Sequence, residues 1–212
     1  MLGFGKGSDK VFCIGFNKTG TTSLEQVIRD QGWTVGKQKT AELMLQEWSR
    51  RDFGPLLKYC RSARFFQDIP FSLPYTYQAM DMEFPGSKFI LTVRDSGDQW
   101  FDSLHRFHRK MFGFGEQPTE TELADIKYHY KGWLLEYLTF VFGPAELGFY
   151  ERERYVRVYE EHNRAVQEYF RYRTNDLLIL NVSEPGAYSR LMRFLGLPDQ
   201  GGSFPWLNRS AQ

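Results

Sequence analysis

Residues 11–24 have the sequence VFCIGFNKTGTTSL, and this stretch decides the fold of the chain. The apolar run at 11–14 predicts a buried strand, and apolar residues at helical spacing predict a helix over 22–31. Between them lies a loop of small and polar residues. A strand, such a loop and a helix start bring backbone N–H groups and the positive end of a helix to one point, which suits a bound phosphate.

The loop also supplies the side chains of an anion site. Gly15 and Gly20 have the spacing of the Walker pattern G-x-x-x-x-G-K-[ST], but Thr21 stands where the lysine belongs and Lys18 lies inside the loop. The alternative is an ordinary strand-to-helix turn rich in Gly and Thr. The predicted phosphate-binding residues are Asn17, Lys18, Thr19, Gly20, Thr21, Thr22 and Ser23.

Length and composition predict a single domain over residues 1–212, with the Gly-rich residues 1–9 frayed. A formal net charge of +1 gives no global field for a nucleic acid partner. No N-terminal signal region and no 18-residue apolar run appears, so we expect no membrane span and a cytoplasmic protein. Two cysteines, Cys13 and Cys60, are too few for a disulfide framework, which favours a reducing compartment.

Strand-like and helix-like segments alternate along the chain. This alternation predicts an α/β fold of three layers, with a parallel β-sheet between helices, and ligands at the carboxyl ends of the strands. Further strands are predicted at 33–35, 64–71, 88–93 and 177–182. Further helices are predicted within 40–59, over 73–84, after Arg94, within 122–171 and over 187–195.

A second candidate site follows the strand predicted at 88–93. Arg94 comes directly after this strand, and Ser103 lies in the helix after it. Arginine forms bidentate, charge-assisted bonds to phosphate, and a hydroxyl adds another donor. The alternative is an arginine that pairs with Asp95 or Asp98.

Together the two sites resemble those of the sulfotransferase family. The loop KTGTT at 18–22 is similar to the family's 5′-phosphosulfate loop. Val93-Arg94-Asp95 with Trp100 and Ser103 resembles its 3′-phosphate motif, with the serine one residue further along. The tail, LMRFLGLP at 191–198 and FPWLN at 204–208, resembles a subgroup of small sulfotransferases, and only 36–60 and 112–150 lack a counterpart.

The resemblance implies a P-loop NTPase-like fold that binds 3′-phosphoadenosine 5′-phosphosulfate (PAPS). It implies transfer of the sulfuryl group to a hydroxyl or amine of a small-molecule or carbohydrate acceptor, without a metal. By the same resemblance, Arg209 in the tail would reach the 3′-phosphate. Lys18 would stabilise the charge that develops on the departing 5′-phosphate oxygen.

Asp68 is the predicted catalytic base. Asp68-Ile69-Pro70 stands where the cytosolic sulfotransferases have a catalytic histidine in a His-x-Pro sequence. An ordinary aspartate pKa near 3.9 makes a weak base unless burial raises it. The alternative is a carboxylate that caps the next helix or pairs with Lys18.

Two other functions stay open on the sequence alone. A P-loop kinase is favoured by Asp95, which follows an apolar strand as a Walker B aspartate does, and is disfavoured by the position of Lys18. A nucleotide-binding module without turnover would explain the unusual base and the shifted Ser103. No His, Cys and carboxylate cluster has the spacing of metal ligands.

Overall fold

A computed structural model describes residues 10–205 of the chain. The frayed segment predicted at 1–9 and the predicted ligand Arg209 lie outside the described residues. The strands are β1 (Val11–Cys13), β2 (Phe65–Phe66), β3 (Lys88–Thr92) and β4 (Leu177–Leu180). The helices are α1 (Thr21–Asp30), α2 (Gln38–Glu42), α3 (Leu45–Ser49), α4 (Gly54–Tyr59), α5 (Thr76–Glu83), α6 (Gly97–Phe112), α7 (Glu120–Asp125), α8 (Trp133–Phe142), α9 (Arg152–Phe170) and α10 (Ala187–Leu195).

The four strands form one parallel sheet in the order β2-β1-β3-β4, which confirms the predicted α/β class. Successive side chains of a strand point to opposite faces. Phe12 and Phe89 therefore pack on one face with residues of α4, α5 and the end of α9. Cys13 and Ile90 pack on the other face with residues of α1 and α10. Helices cover both faces, as the prediction of three layers requires.

Two predicted strands are shorter than expected. The segment 33–35 contributes only an isolated bridge between Val35 and Phe65. The segment 64–71 forms only the two-residue strand β2. Asp68 has a φ of 62°, in the left-handed region, which ends the extended backbone, and Pro70 has no N–H to continue a ladder.

The order of the strands positions the loop after β1. From β1 the chain passes to β2 on one side of it, and then to β3 on its other side. A crevice forms at such a reversal, outside the carboxyl ends of the strands, and ligands of open α/β sheets bind there. The loop 14–20 and residues 67–68 follow the neighbouring strands β1 and β2, so both lie at this edge.

The described chain forms two compact units, one of residues 10–93 and 165–205 and the other of residues 94–164. The first holds the sheet. The second has an aromatic core in which Trp100 stacks on Tyr159 at 4.6 Å and Phe142 stacks on Tyr155 at 3.9 Å.

Within residues 10–205, none of the helices combines the length and apolar character needed to cross a bilayer. The single domain over 1–212 stays a prediction.

Candidate functional site

The loop after β1 is fastened to the end of β3. Gly15 lies against the backbone of Thr92, where an added Cβ would come within 2.2 Å of the Thr92 carbonyl oxygen. Thr19 is fully buried, and its Oγ1 donates to the Phe16 carbonyl at 2.5 Å and lies 2.6 Å from Thr92 Oγ1. A loop held this closely presents its backbone in one fixed conformation.

The loop ends at the N-terminus of α1. Gly20 caps the helix with a φ of 99°, and a Cβ at this position would meet Val182 Cγ2 at 2.4 Å. The first helical bond is donated by Leu24 N to Gly20 O, so the preceding N–H groups lie at the open end of the helix. The first turn of α1 has no acidic residue to compete with an anion.

The predicted hydroxyl donors of the loop differ in their surroundings. Thr22 is exposed, whereas Thr21 and Ser23 are buried, and Ser23 borders a cavity of about 440 Å³ formed with the 182–189 and 201–205 segments. The Thr19 hydroxyl is engaged inside the protein, which leaves its backbone N–H as the group that could face an anion. Lys18 is half-buried and has a φ of 68°, in the left-handed region.

Asp68 lies just past the end of β2, the strand next to β1. Its Oδ1 accepts a hydrogen bond from the Ile69 backbone N–H at 2.9 Å, and its Oδ2 accepts one from Gln38 Nε2 at 3.0 Å. The left-handed φ of 62° is one that aspartate tolerates better than most residues. The carboxylate is thus fixed at both oxygens.

The environment of Asp68 raises its pKa to about 7. Burial is the main cause, because a desolvated carboxylate is disfavoured, and the nearby negative charge of Glu42 is the next. The Ile69 hydrogen bond and the positive charge of Lys18 act in the opposite direction and are weaker. A carboxylate with a pKa near neutrality is a stronger base than an ordinary aspartate and can accept a proton as a general base.

Arg94 begins the second unit. Its backbone N–H donates to the hydroxyl of Tyr159 at 3.0 Å, and burial lowers the pKa of its guanidinium from the ordinary value. Ser103 is buried on α6, the helix that follows. Of the alternative partners, Asp98 pairs with Arg152, whereas the charge of Asp95, whose Oδ2 accepts from Gln99, also acts on the Arg94 guanidinium and opposes the effect of burial on its pKa.

The chain matches a protein family over almost its whole length. The model of the sulfotransferase domain aligns with residues 10–212. The chain belongs to the sulfotransferase domain family. No curated protein matches the sequence significantly. The match confirms the family resemblance drawn from the Lys18 loop and Arg94, and it makes sulfuryl transfer the general chemistry of this protein.

The predicted site residues of this sulfotransferase fall into the two units. Residues 17–23 and Asp68 lie together at the sheet edge of the first unit, and Lys18 is close enough to Asp68 to influence its pKa. Arg94 and Ser103 belong to the second unit. Among residues 10–205, no group of three His, Cys, Asp or Glu side chains is arranged to hold a metal ion.

Sequence reasoning missed the residues that surround Asp68 and Arg94. Gln38 and Glu42 lie on the short helix α2, where a Gln and a Glu four residues apart look like an ordinary solvated pair. Tyr159 lies on α9, in a segment rich in charged residues, and its hydroxyl accepts a hydrogen bond from the Arg94 backbone N–H. His162 on the same helix is also buried. Only the fold brings these residues to their partners.

Proposed function

We propose that this sulfotransferase moves the sulfuryl group of PAPS to a hydroxyl or amine of a small-molecule or carbohydrate acceptor. One observation carries the proposal above all. At the carboxyl edge of the sheet, a half-buried lysine in an anion loop lies near a carboxylate whose pKa is raised to about 7. Sulfuryl transfer needs a cation for the leaving phosphate and a base for the acceptor.

The loop after β1 supports binding of the donor's 5′-phosphosulfate. The N–H groups at the start of α1 and the Lys18 ammonium supply positive charge, and the glycines at 15 and 20 allow the close backbone packing that fixes the loop. The absence of a Walker lysine at Thr21 favours this donor over a magnesium-bound triphosphate. We assign the 3′-phosphate to Arg94 and Ser103, with Arg209 as a further ligand.

The proposed reaction is an in-line displacement at sulfur. The bond between sulfur and the acceptor oxygen forms as the bond between sulfur and the 5′-phosphate oxygen breaks. Asp68 takes the proton of the acceptor hydroxyl, and Lys18 stabilises the negative charge left on the phosphate oxygen. The raised pKa of Asp68, about 7, is one at which a carboxylate can serve as a general base near neutral pH.

Only the two cysteine thiols bear on where in the cell this reaction takes place. Cys13 and Cys60 are both buried and free, as expected for a reducing compartment. We therefore propose that the protein works in the cytoplasm.

Ligand binding separates the sulfotransferase from a kinase. Thermal shift is measured with 3′,5′-adenosine bisphosphate without magnesium, with 5′-adenosine monophosphate, and with MgATP. We expect the bisphosphate to stabilise the protein most. Stabilisation by MgATP alone would favour the kinase and overturn the proposal.

An assay of ³⁵S transfer distinguishes an active sulfotransferase from a nucleotide-binding module without turnover. PAPS labelled with ³⁵S is incubated with a panel of phenols, alcohols, amines and carbohydrates, and labelled product is counted. We expect transfer to at least one acceptor class, and transfer slower by about 10²–10³-fold in Lys18→Ala. Lys39→Ala is the matched control, because Lys39 is exposed on α2 and should keep full activity.

A further inference from the structure

Gln38 joins two carboxylates through one nitrogen. Its Nε2 donates to Asp68 Oδ2 at 3.0 Å and to Glu42 Oε1 at 2.8 Å. A side-chain amide nitrogen carries two protons, so this pair of bonds uses both. Gln38 is the first residue of α2 and Glu42 the last, and this spacing places the two on the same face of the helix.

The contacts of Gln38 complete the fixation of Asp68. The Ile69 N–H already holds Oδ1 at 2.9 Å, and Gln38 holds Oδ2 from a different element of the fold. A carboxylate offers about four lone-pair positions, and these two donors occupy two of them. The others can accept a proton from a bound acceptor while the group keeps one orientation. Such fixed orientation is what general base catalysis requires.

The chemical nature of the donor matters as much as its position. Lysine or arginine at position 38 would also hold the carboxylates, but its positive charge would lower the pKa of Asp68. The neutral amide orients the carboxylate without neutralising it. Glu42, which is only 3% exposed, therefore keeps its effect on Asp68.

Several charged or titratable groups face Asp68 from the elements around it. Glu42 on α2 and, more weakly, Glu25 on α1 raise its pKa, and Lys18 in the loop lowers it. The buried Cys13 thiol on β1 also senses the Asp68 charge. Glu25 is itself held by Gln67, whose Nε2 donates to Glu25 Oε2, and by Arg29 at 2.6 Å. Of these charges, Glu42 has the largest effect on the pKa of Asp68.

We infer that Gln38 is a positioning residue that holds the Asp68 carboxylate for proton removal, and that Glu42, bound to the same Gln38 nitrogen, is the negative charge that assists it. The inference rests on the proposed function of Asp68 as the base. It assigns to α2, to which the sequence motifs gave no role, a part in the chemistry of the site.

Two substitutions should move the titration of Asp68 in opposite directions. Glu42→Gln removes a negative charge, so the pKa of Asp68 should fall by about one unit. Gln38→Leu removes a donor that favours the ionised form, so the pKa should rise by about half a unit. Gln38→Lys keeps a donor but adds a positive charge, so the pKa should fall. A merely structural role for α2 would not produce this pattern.

The test uses the full chain and two readouts. The first is the ¹³C carboxyl shift of Asp68 against pH in aspartate-labelled protein, assigned by its loss in Asp68→Asn. The second is the acid limb of kcat against pH, whose midpoint should shift with the NMR titration. We also expect kcat at its plateau to fall at least tenfold in Gln38→Leu, with the affinity for 3′,5′-adenosine bisphosphate unchanged.

Two control variants match the chemistry of the substitutions. Gln26→Leu removes an exposed Gln-to-Asp bond, from Gln26 Nε2 to Asp30 at 2.8 Å, and Glu83→Gln removes an exposed carboxylate that pairs with Arg61. Neither should move the Asp68 titration.

The two readouts separate the inference from the proposed function. Opposite shifts in Glu42→Gln and Gln38→Leu support the inference, and equal, absent or parallel shifts overturn it. If the NMR shifts are opposite but the wild-type chain transfers no sulfuryl group, the proposed function fails while the control of Asp68 by Gln38 and Glu42 stands.

Discussion

The hydroxyl of Thr19 lies 2.6 Å from the hydroxyl of Thr92, so the loop after β1 is joined to the end of the neighbouring strand β3. The same Thr19 hydroxyl donates to the Phe16 carbonyl within the loop. Both threonines are fully buried. The contact shows that one loop residue assigned to phosphate from the sequence uses its side chain to build the loop.

Thr19→Val tests this contact, because valine keeps the shape and removes the hydroxyl. The Phe16 carbonyl and the Thr92 hydroxyl lose a partner, so we expect the free energy of unfolding to fall by about 1–3 kcal/mol. Denaturant unfolding at constant pH measures the change. Thr40→Val, at an exposed position of α2, should stay within about 0.5 kcal/mol of wild type. Equal stability of the two variants would contradict the role of the contact.

Gly15→Ala tests the close approach of the loop to β3. The added Cβ would meet backbone atoms of Thr92, which cannot move without disturbing the sheet. We therefore expect the free energy of unfolding to fall by about 3 kcal/mol or more. The comparison is Gly32→Ala, where φ is 75° but an added Cβ would have no atom of the described chain within 4 Å, apart from its immediate chain neighbours. In that variant the free energy of unfolding should fall by only about 1–2 kcal/mol, the cost of a side chain in the left-handed backbone conformation. Thermal and denaturant unfolding of both proteins give the difference.

Lys18→Ala should separate turnover from binding. If Lys18 stabilises charge that develops on the leaving phosphate, its loss should lower kcat by about 10²–10³-fold. The affinity for 3′,5′-adenosine bisphosphate, measured by calorimetry, should fall much less, because the loop N–H groups remain. A parallel loss of kcat and affinity would instead assign Lys18 to ground-state binding.

Asp68→Asn should stabilise the protein at high pH. The pKa of Asp68 is raised from 3.8 to about 7, so the folded state holds the proton more tightly than the unfolded state. Stability from this group is complete below pH 3.8 and is lost as pH rises through about 7. The variant should therefore be more stable than wild type by about 1–3 kcal/mol at pH 8, and by little at pH 4.

The measurement for Asp68→Asn is denaturant unfolding across this pH range, together with kcat for the identified acceptor. We expect the variant to gain stability and lose turnover while it still binds 3′,5′-adenosine bisphosphate. Lower stability than wild type at pH 8 would contradict the raised pKa. Unchanged turnover would remove Asp68 as the base.

Tyr159→Phe tests how Arg94 is held. The substitution keeps the stacking on Trp100 and removes the hydroxyl that accepts from the Arg94 N–H. We expect several-fold weaker binding of 3′,5′-adenosine bisphosphate and unchanged binding of 5′-adenosine monophosphate, because only the first carries a 3′-phosphate. Calorimetry with both ligands, with Arg94→Ala for comparison, measures the effect. If the affinities for the two nucleotides fall equally, Tyr159 does not act on the 3′-phosphate site.

The strands and the loop could be predicted because their signals are local. Apolar runs bounded by Gly and charged residues located β1, β3 and β4 to within two residues, and helical spacing located α1 and α10. The segment 64–71 was harder, because its apolar residues suggest a long strand. The left-handed Asp68 ends that strand after two residues. Aspartate adopts this conformation more readily than most residues, but the sequence does not mark which aspartate does so.

The sequence by itself predicted the parallel α/β fold and a phosphate-binding loop around Lys18, because periodicity and motif spacing lie along the chain, and the family resemblance marked Asp68 as the candidate base. Only the tertiary structure decided the surroundings of that carboxylate. Gln38 and Glu42 come from a helix 30 and 26 residues before Asp68, and burial beside them raises its pKa. Desolvation and charge act through space, so a basic Asp68 arises only when the folded chain brings these groups together.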